Sequence, residues 1–597
     1  MKSKFFFTLC ISISLSAQDL NEKKILAQKA SLQIVNSTTT HYSETLHDIF
    51  KYGYLLSDSS KAVLEQKGFV FNKKLTSSAR PQNLDQYTDD GFFRFHYTLQ
   101  GSDAVSPIDS NQNQIPDYID LIITTFKSIG NEYFEKLGYP RPPSDHYYTR
   151  TDNGGSDHYD IYIFNLESGY YGYVQAENYA NAESLFNKGD NEFSLNIKES
   201  RGMTTFMALR NNYKDFSGNE KNIIEVTSAH EFFHAIQYGY DGWEAGWLLE
   251  STAVFMEEFL YDSINDCYQF LKTFLEKPEL SINHSTDRGY GSYIYFSYLD
   301  EHYVDRNFVK KVFVNSVSYD SYDQDYSLRN LKEVVLNNGL SFENTMHNFF
   351  IANAILDSSS SLEKYRYEEA PFFPIKSPTY KKTFSDLIDS SYYFNNQQLE
   401  SGSSLYYSVD TKDSNFVNLD IEILSKNTNS TTYRLTTIFK DSLLNFDIKT
   451  QNIQKINVVN TEKVDFLVSA FNMENKNVSF DFKISKNSQS LLDSTKLAIN
   501  MINNPKSFTL YENYPNPFNP NTTLRFDIPE NSDVTISIYN MLGQKVKNFN
   551  MPRLSAGYHS IQWDGTNQSG VSIGAGVYFY QLQTKNIVKT SKMTLLK

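Results

Sequence analysis

The spacing of apolar residues divides the chain into segments with different predicted structures. Apolar and polar positions alternate at Phe92–Tyr97 and Tyr159–Phe164, and a further alternating stretch covers 190–197, so the pattern predicts three strands. Over roughly 223–356, apolar residues recur at helical spacing instead. Strands followed by helices indicate an α+β domain, which we place at 86–370.

The flanking segments predict a chain of several units. Residues 18–85 show a mostly helical and polar pattern, which fits either an N-terminal helical subdomain or a pro-region that covers an active cleft. Over 371–502, short strands recur at regular spacing between turns rich in Asn, Ser and Lys, as in a β-sandwich. A linker at 503–506 precedes a last β-rich unit at 508–597.

The first residues have the pattern of an export signal. Two lysines precede the apolar run Phe5–Leu15, and small residues at 16–17 offer a cleavage point. The run is too short to span a bilayer, and no later segment reaches about 18 consecutive apolar residues. We therefore predict a signal peptide over 1–17, export from the cytoplasm and no transmembrane segment.

The amino-acid composition limits which classes of protein fit the sequence. Hydrophobic residues make up 40% of the chain and charged residues 21%, which is enough to build buried cores. A net charge of −15 without a basic stripe argues against nucleic acid as a partner. The chain has two cysteines, Cys10 and Cys267, and the first would leave with the signal peptide, so we expect no internal disulfide.

The strongest chemical motif is the HExxH sequence from His230 to His234, within a predicted helix. Residues four apart share one face of a helix, so both imidazoles can bind the same metal ion. Glu231 is turned about a quarter of a circle away, where its carboxylate can take a proton from a water held by the ion. The alternative is a core helix with two incidental histidines, but burying these polar groups without a shared partner would cost free energy.

A zinc ion in such a site needs a third protein ligand. No histidine follows at the HExxHxxGxxH spacing, so the sequence excludes the class of zinc sites that takes its third histidine from that extended motif. Glu250 is the leading candidate because it lies among apolar residues on a second predicted helix, where an unpaired carboxylate would be unfavourable. Its rivals are Asp241 and Glu244, in the turn before that helix, and Glu257, at its polar end.

The two helices resemble the gluzincin division of the zinc peptidases. The segment 247–258, WLLESTAVFMEE, is similar to the WLxEGxAxxxE pattern of exported metalloproteases in that group, with Ser251 in place of the usual glycine. FRFHY at 93–97 and DSNQNQIPDY at 109–118 resemble the opening of the same proteins, and GYGSYIYF at 289–296 resembles the helix that follows their metal site.

This resemblance implies a zincin-like fold and a set of roles. Zinc would be held by the two histidines and Glu250, with Glu231 as general base. Some gluzincins use an aspartate at the position of Val254 to orient a histidine, so that role has no candidate here. A tyrosine after the metal site often stabilises the oxyanion in related peptidases, and Tyr290 and Tyr293 are the candidates. The alternative is that both tyrosines belong to a stripe of aromatic residues in the core and have no catalytic role.

A loop near residue 110 is a candidate calcium site. Oxygen-bearing side chains alternate along it: Asp109, Asn111, Asn113 and Asp117. Hard cations such as calcium require such ligands, and the loop resembles the start of an EF-hand-like loop. It departs from that pattern at Gln114, where glycine is expected, and at Asp120, which occupies the place of the bidentate glutamate. The alternative is an Asx-rich turn that caps the helix near Pro116.

The last unit carries a specific set of motifs. They are YPNPFNP at 514–520, MLGQKV at 541–546, WDG at 563–565, GVYFY at 576–580 and the ending SKMTLLK. Together they resemble the C-terminal sorting domain of the type IX secretion system, an Ig-like β-sandwich. The resemblance implies that the secretion machinery is a partner and that the protein is secreted or held at the outer cell surface. A plain adhesive Ig-like module is the alternative.

The sequence therefore predicts a multidomain protein, with an α+β zincin-like metallopeptidase domain followed by all-β Ig-like sandwich domains. Its function would be zinc-dependent hydrolysis of protein or peptide substrates, as a gluzincin-type endopeptidase. An aminopeptidase of the same fold would need acidic residues that grip the substrate amine, and we identify no motif for these. The alternative from another class of protein is a cell-surface adhesion or binding protein with a non-catalytic peptidase-like domain. The intact Glu231 argues against this alternative, because a non-catalytic site does not need a general base.

Overall fold

The computed structural model describes most of the chain. It covers residues 20–596 apart from gaps at 22, 37–41, 68, 72–75, 79, 147–152, 167–168, 183–188, 285–287, 320–325, 359, 361, 385–390, 411–415, 426–430, 440–441, 449–451, 460–462, 473–475, 487–506, 512, 514–515, 531 and 555–556. The predicted signal peptide with Cys10 and the 503–506 linker lie outside the described residues.

The N-terminal segment contains helices and a small hairpin. Its elements are α1 (23–36), α2 (Tyr42–Tyr52), α3 (Asp58–Glu65), β1 (Phe69–Phe71) and β2 (Thr76–Ser78). Strands β1 and β2 pair antiparallel, which the mostly helical pattern did not predict. Apolar residues from all three helices, among them Ile34, Leu46 and Leu64, form a core of the segment's own.

A five-stranded sheet follows. Its strands are β3 (Gln86–Asp90), β4 (Phe93–Tyr97), β5 (Tyr159–Phe164), β6 (Gly172–Tyr179) and β7 (Met203–Arg210). Their order across the sheet is β3-β4-β5-β7-β6. Strands β4, β5 and β7 run parallel, while β3 and β6 pair antiparallel at the two edges. The strands predicted at Phe92–Tyr97 and Tyr159–Phe164 correspond to β4 and β5.

The strand predicted at 190–197 is wrong, because this stretch forms turns. Asn191 organises them: its side-chain oxygen accepts from the backbone N–H of Phe193 at 3.0 Å, and its amide donates to the carbonyl of Arg141 at 3.0 Å. Asparagine side chains often compete with strand pairing in this way. Leu195, which alternation would place inside, is 92% exposed.

Helices dominate the rest of this part of the chain. They are α4 (Asp117–Gly130), α5 (Glu220–Tyr240), α6 (Gly246–Leu260), α7 (Gln269–Glu276), α8 (Arg288–Gly291), α9 (Tyr293–His302), α10 (Phe308–Ser316), α11 (Ser327–Asn337) and α12 (Phe342–Ile355). A π-helical turn, Asn131–Lys136, extends α4. Helix α5 packs on β7, α4 and α6, so the two helices that carry the metal-ligand candidates lie in one large core with the sheet.

The middle of the chain forms two sheets. Their strands are β8 (Tyr380–Phe384), β9 (Ser391–Glu400), β10 (Ser403–Asp410), β11 (Phe416–Ser425), β12 (Thr431–Phe439), β13 (Ser442–Ile448), β14 (Asn452–Val459), β15 (Lys463–Asn472) and β16 (Asn477–Lys486). One sheet has the order β13-β12-β15-β10-β8 and the other β14-β11-β16-β9. Residues from both, such as Ile421 and Phe466, share one core.

This β-rich unit contacts the helices directly. The ring of His347 on α12 lies between two hydroxyls, with Nδ1 2.7 Å from Ser469 Oγ and Nε2 2.7 Å from Thr436 Oγ1. The hydroxyl of Tyr406 donates to the carbonyl of Phe350 at 2.9 Å. These buried contacts fix the helical bundle against β10, β12 and β15.

The C-terminal unit again has two sheets. Its strands are β17 (Thr509–Leu510), β18 (Thr522–Ile528), β19 (Ser532–Asn540), β20 (Lys545–Leu554), β21 (Gly557–Trp563), β22 (Gly576–Gln583) and β23 (Val588–Leu595). The sheets have the orders β17-β18-β21 and β20-β19-β22-β23, and their core includes Phe518, Trp563 and Tyr580. Across the described residues, no helix combines the length and apolarity needed to cross a membrane.

Candidate metal centre

Helix α5 places the two histidines of the HExxH motif on one face. The helix starts at a capped end, where the Asn219 side chain accepts from the backbone N–H of Lys221 at 2.9 Å. It continues for 21 residues. His230 and His234, four residues apart, point their rings toward α6, with centroids 4.7 Å apart. Most residues around them are buried, so neighbouring elements hold the rings in place.

The turn between α5 and α6 sets the position of the second helix. Asp241, with no exposed surface, is paired with the Arg201 guanidinium and also accepts from the backbone N–H of Trp243 at 2.9 Å. Glu244 accepts hydrogen bonds from Ser327 and from Asn330. These two rivals for the metal-ligand role are thus engaged in fixing the turn.

Helix α6 brings Glu250 to the two histidines. Glu250 Oε2 lies 3.1 Å from His230 Nε2 and 3.3 Å from His234 Nε2, and the two Nε2 atoms are 3.1 Å apart. Ligand atoms about 2.0–2.1 Å from one tetrahedral zinc ion lie about 3.3–3.4 Å from one another. The triangle of donor atoms therefore has the size that a shared zinc ion requires.

The opposite nitrogens of both rings have their own partners. His230 Nδ1 lies 2.5 Å from Glu257 Oε1, and His234 Nδ1 lies 2.7 Å from Gln237 Oε1. The Gln237 amide nitrogen donates to the carbonyl of Leu249, so its oxygen faces His234. With each Nδ1–H donating to an oxygen, each neutral ring presents a lone pair at Nε2.

This arrangement fits a bound cation. Two imidazole lone pairs and a carboxylate oxygen face one another in a buried place, where His234 is 1% and Glu250 3% exposed. Without a shared proton or cation, such a cluster of acceptors is unfavourable. Two nitrogen ligands and one oxygen ligand form the protein donor set found in catalytic zinc sites.

The electrostatics also favour positive charge here. Burial opposes the charged form of His230, but the carboxylates of Glu257, Glu250 and Glu231 outweigh it and raise the pKa of His230 well above its usual value. Burial alone would raise the pKa of Glu250, yet the two imidazoles, His234 first, hold it well below its usual value. Burial raises the pKa of Glu257 to about 7.

Glu231 lies beside the triad and is 7% exposed. Its charge contributes to raising the pKa of both His230 and Glu257, so its carboxylate is close to the site. It is not one of the three residues whose ligand atoms converge. This position agrees with the separate role that helical spacing predicts for it.

The two candidate tyrosines occupy different places. The ring of Tyr290 stacks parallel to that of His230, with centroids 6.1 Å apart. Tyr293 lies instead beside Cys267 and Glu258, and burial raises its pKa well above the usual value. Only Tyr290 of the two thus contacts the triad in the described structure.

Glu257 and Gln237 were not assigned by the sequence analysis, which weighed Glu257 only as a rival ligand. Helical spacing would have identified both. Glu257 follows Glu250 by seven residues, which is two turns on the same face of α6. Gln237 follows His234 by three residues, which is one turn on α5. The position of Val254, where some gluzincins have an aspartate, carries an apolar side chain with no exposed surface.

The loop of the candidate calcium site is organised by its own side chains. Asn111 and Asn113 each donate to Asp120 Oδ2 at 2.9 Å. Asp109 accepts from the backbone N–H of Asn113 at 3.2 Å. Asp117 instead accepts from the backbone N–H and the hydroxyl of Ser110. Asp120 is thus the carboxylate at which the two asparagines meet, and calcium binding stays a prediction.

Comparison with known proteins identifies one part of the chain. Residues 518–586 match the family model of the FlgD Ig-like domain. The C-terminal unit therefore contains an Ig-like β-domain. No curated protein matches the chain.

Solved structures show weak local similarity. PorZ, a surface component of the type IX secretion system of Porphyromonas gingivalis, is 13% identical over 19% of this chain, with a TM-score of 0.12. Latent PorU from the same organism is 18% identical over 23% of this chain, with a TM-score of 0.14. Each alignment spans 14% of the Porphyromonas chain. Tripeptidyl peptidase 2 is 7% identical over 32% of this chain and 22% of its own, with a TM-score of 0.17. Similarity at this level supports no conclusion about shared fold or function.

Proposed function

We propose that the protein is a secreted zinc-dependent metallopeptidase. The observation that carries this proposal is the convergence of His230, His234 and Glu250, whose ligand atoms all lie within 4.8 Å of one another. Both histidines are oriented through their opposite nitrogens, as in zinc sites whose ligands are held by hydrogen bonds. Glu231 stands beside the triad, where a general base is needed.

Each residue of the site would have a separate role in peptide hydrolysis. His230, His234 and Glu250 hold the ion, which when bound supplies Lewis-acid activation of water and of the scissile carbonyl. Glu231 takes a proton from the attacking water and passes it to the leaving amine. Glu257 and Gln237 keep both rings in the tautomer that ligation requires. Tyr290 is the candidate donor to the oxyanion.

The zincin-like assignment of residues 86–370 is part of this proposal. It is supported by the position of α5, which follows the parallel strand β7 and packs beneath the sheet with the motif facing α6. The antiparallel strand β6 lies at the sheet edge beside α5.

Hydrolysis of an unfolded protein such as casein tests the proposal. The wild type, the chelator-treated protein and the protein with zinc restored would be compared with Glu231→Gln, which changes the carboxylate to an amide of similar size. We expect cleavage by the wild type, loss with chelator, recovery with zinc, and a loss of at least a hundredfold in the variant. Zinc binding without hydrolysis in any sample would favour the non-catalytic binding protein instead.

We further propose that residues 508–597 direct export by the type IX secretion system. The Ig-like match at 518–586 and the motifs around it support this assignment. The test compares the full chain with a chain that ends before Ser507, both produced in a bacterium that has this system. We expect the full chain outside the cell and the truncated chain in the periplasm. Equal export of both would contradict the assignment.

A further inference from the structure

An exposed aromatic ring lies close to Glu231, on the sheet side of the metal centre. Tyr171 directly precedes β6, is 45% exposed and packs on Phe216 with ring centroids 4.3 Å apart. The next residue, Gly172, lies against α5, because a β-carbon there would come within 3.1 Å of Thr227 Cγ2. Thr227 precedes Glu231 by four residues and so lies on the same face of the helix. The ring of Tyr171 is therefore exposed to solvent near the proposed general base.

Tyr213 fixes the position of this ring. Its hydroxyl donates to the carbonyl of Tyr171 at 2.7 Å, and the two rings stack with centroids 6.2 Å apart. Burial raises the pKa of Tyr213 above its usual value, and the charge of Glu231 contributes to the rise, so these two side chains are close. Tyr171 is thus held at a defined place beside the centre.

A carboxylate lies on the helical side of the centre. Asp266 begins a short turn of 3-10 helix that packs on α6. Phe270 follows it by four residues, and the Phe270 ring lies 5.1 Å from that of Tyr290, which stacks on His230. Burial raises the pKa of the Asp266 carboxyl, and the Gln269 amide and the charged form of His230 oppose the rise. Asp266 therefore lies near the first of the three ligand residues.

Tyr171 and Asp266 are close to each other although they come from opposite sides. Burial and, next, the charge of Asp266 raise the pKa of Tyr171 above its usual value. The Asp266 side chain is exposed, and Gln269 Nε2 donates to its Oδ2 at 2.9 Å. Within the part of the chain that the structure describes, no lysine or arginine forms an ion pair with Asp266. An exposed carboxylate and an exposed aromatic ring are thus both accessible to a ligand.

A basic side chain has the chemistry that both groups recognise. Its apolar stem can lie along the ring of Tyr171, and its cationic head can contact the face of that ring and pair with Asp266. The negative charge of Glu231 adds to the attraction. An acidic side chain at the same place would be repelled by both carboxylates.

We propose that Tyr171 and Asp266 form a subsite for a lysine or arginine side chain of the peptide substrate, beside the bond that is cleaved. The subsite positions the peptide and takes no part in the proton transfers. This inference rests on the proposed peptidase function and names the substrate class of that site.

Peptide binding tests the subsite without requiring hydrolysis. The full chain carrying Glu231→Gln, with zinc added, is titrated with fluorescent peptides that differ only at one central position, which is arginine, lysine, norleucine or glutamate. Both ends of each peptide are blocked, so that a terminal amine cannot supply the positive charge. Asp266→Asn and Tyr171→Leu are added separately to this chain. Asp564→Asn is the matched control, because that aspartate is also exposed and lies in the C-terminal unit.

We expect the arginine and lysine peptides to bind about tenfold more tightly than the norleucine peptide, since an ion pair and a cation–π contact at a partly exposed site each contribute a few-fold. Asp266→Asn and Tyr171→Leu should each reduce this advantage at least threefold, and Asp564→Asn should preserve it. An advantage that Asp266→Asn leaves unchanged would overturn the subsite.

Cleavage of a mixed peptide library by the chain with Glu231 intact, analysed by mass spectrometry, separates the subsite from the peptidase function. We expect cleavage beside lysine or arginine. Cleavage that ignores charge, together with equal binding of all four peptides, would overturn the subsite and leave the peptidase function standing. Charge-dependent binding that Asp266→Asn removes, without cleavage of any peptide, would support the subsite and count against the peptidase function. Neither binding nor cleavage of any peptide would overturn both.

Discussion

Glu257 offers a sharp test of how the metal centre is held. Its carboxylate is 6% exposed and lies 2.5 Å from His230 Nδ1, on the side of the ring away from the triad. Glu257→Gln keeps a hydrogen-bond acceptor but removes the charge. Loss of such a partner typically weakens metal binding about 10- to 100-fold. This corresponds to about 1.4–2.8 kcal/mol of binding free energy. Glu257→Ala should weaken zinc binding further, because Nδ1–H then lacks a buried acceptor, at a cost of about 1–3 kcal/mol.

The assay is competition for zinc against a fluorescent chelator at neutral pH, with circular dichroism to verify folding. Glu276→Gln is the matched control, because that carboxylate is 49% exposed and pairs only loosely with Lys272, at 3.7 Å. We expect the order wild type and control, then Glu257→Gln, then Glu257→Ala. A folded Glu257→Gln protein that binds zinc within twofold of the wild type would refute the assigned role.

Three further predictions follow from other parts of the structure. Calcium should raise the melting temperature by several degrees, because an ion bound by the carboxylates of Asp109 and Asp120 would stabilise only the folded loop, and Asp120→Asn should abolish the effect. An unchanged melting temperature in the wild type would remove the calcium site. Burial, with the neighbouring Glu369 carboxylate, raises the pKa of Glu258 well above its usual value, so near neutral pH the folded state retains a proton that the unfolded state has lost. The melting temperature should therefore rise as pH falls from 8 to 6, and less so in Glu258→Gln, whereas equal slopes would contradict this. Tyr290→Phe should lower kcat about 100- to 1000-fold, since loss of one oxyanion donor typically costs that much, whereas Tyr293→Phe should stay within threefold; the reverse order would exchange their roles.

Helical periodicity explains why the candidate metal ligands could be predicted from the sequence. The spacing of His230 and His234 fixes their shared face once a helix is assumed, and α5 forms as that pattern predicts. The choice of Glu250 over its rivals rested on its apolar surroundings, and in the structure its Oε2 lies 3.1 Å from His230 Nε2 and 3.3 Å from His234 Nε2. Asp241 and Glu244 lie in a turn where each accepts hydrogen bonds from buried groups. The sequence alone does not show that these partners are there.

The partner of His230 shows the limit of pattern matching. Some gluzincins orient a histidine with an aspartate at the position of Val254, one turn after Glu250, and that position is apolar here, so the resemblance gave no candidate for the role. Glu257 fulfils the same geometric requirement two turns after Glu250, because seven residues return the side chain to nearly the same face. Position along the helix face, rather than correspondence with a family motif, determines which carboxylate meets Nδ1.

The sheet was only partly predictable. Strands β4 and β5 follow from alternation, but β7 is buried along its whole length and so lacks the alternating signal. The stretch at 190–197 does alternate, yet Asn191 holds it in turns. The contact of α2 with α5 depends on residues almost 200 positions apart, such as His47 and Tyr238, and no local sequence pattern predicts it.

Zinc content tests the central claim most directly. Inductively coupled plasma mass spectrometry on the purified full chain and on His234→Ala would measure metal per chain, with gel filtration to establish that the variant is folded. We predict about one zinc ion per chain in the wild type and less than a tenth of that in the variant, since a two-ligand site loses most of its affinity. A wild type without zinc, or equal zinc in both proteins, would contradict the assignment of His230, His234 and Glu250 as the metal centre.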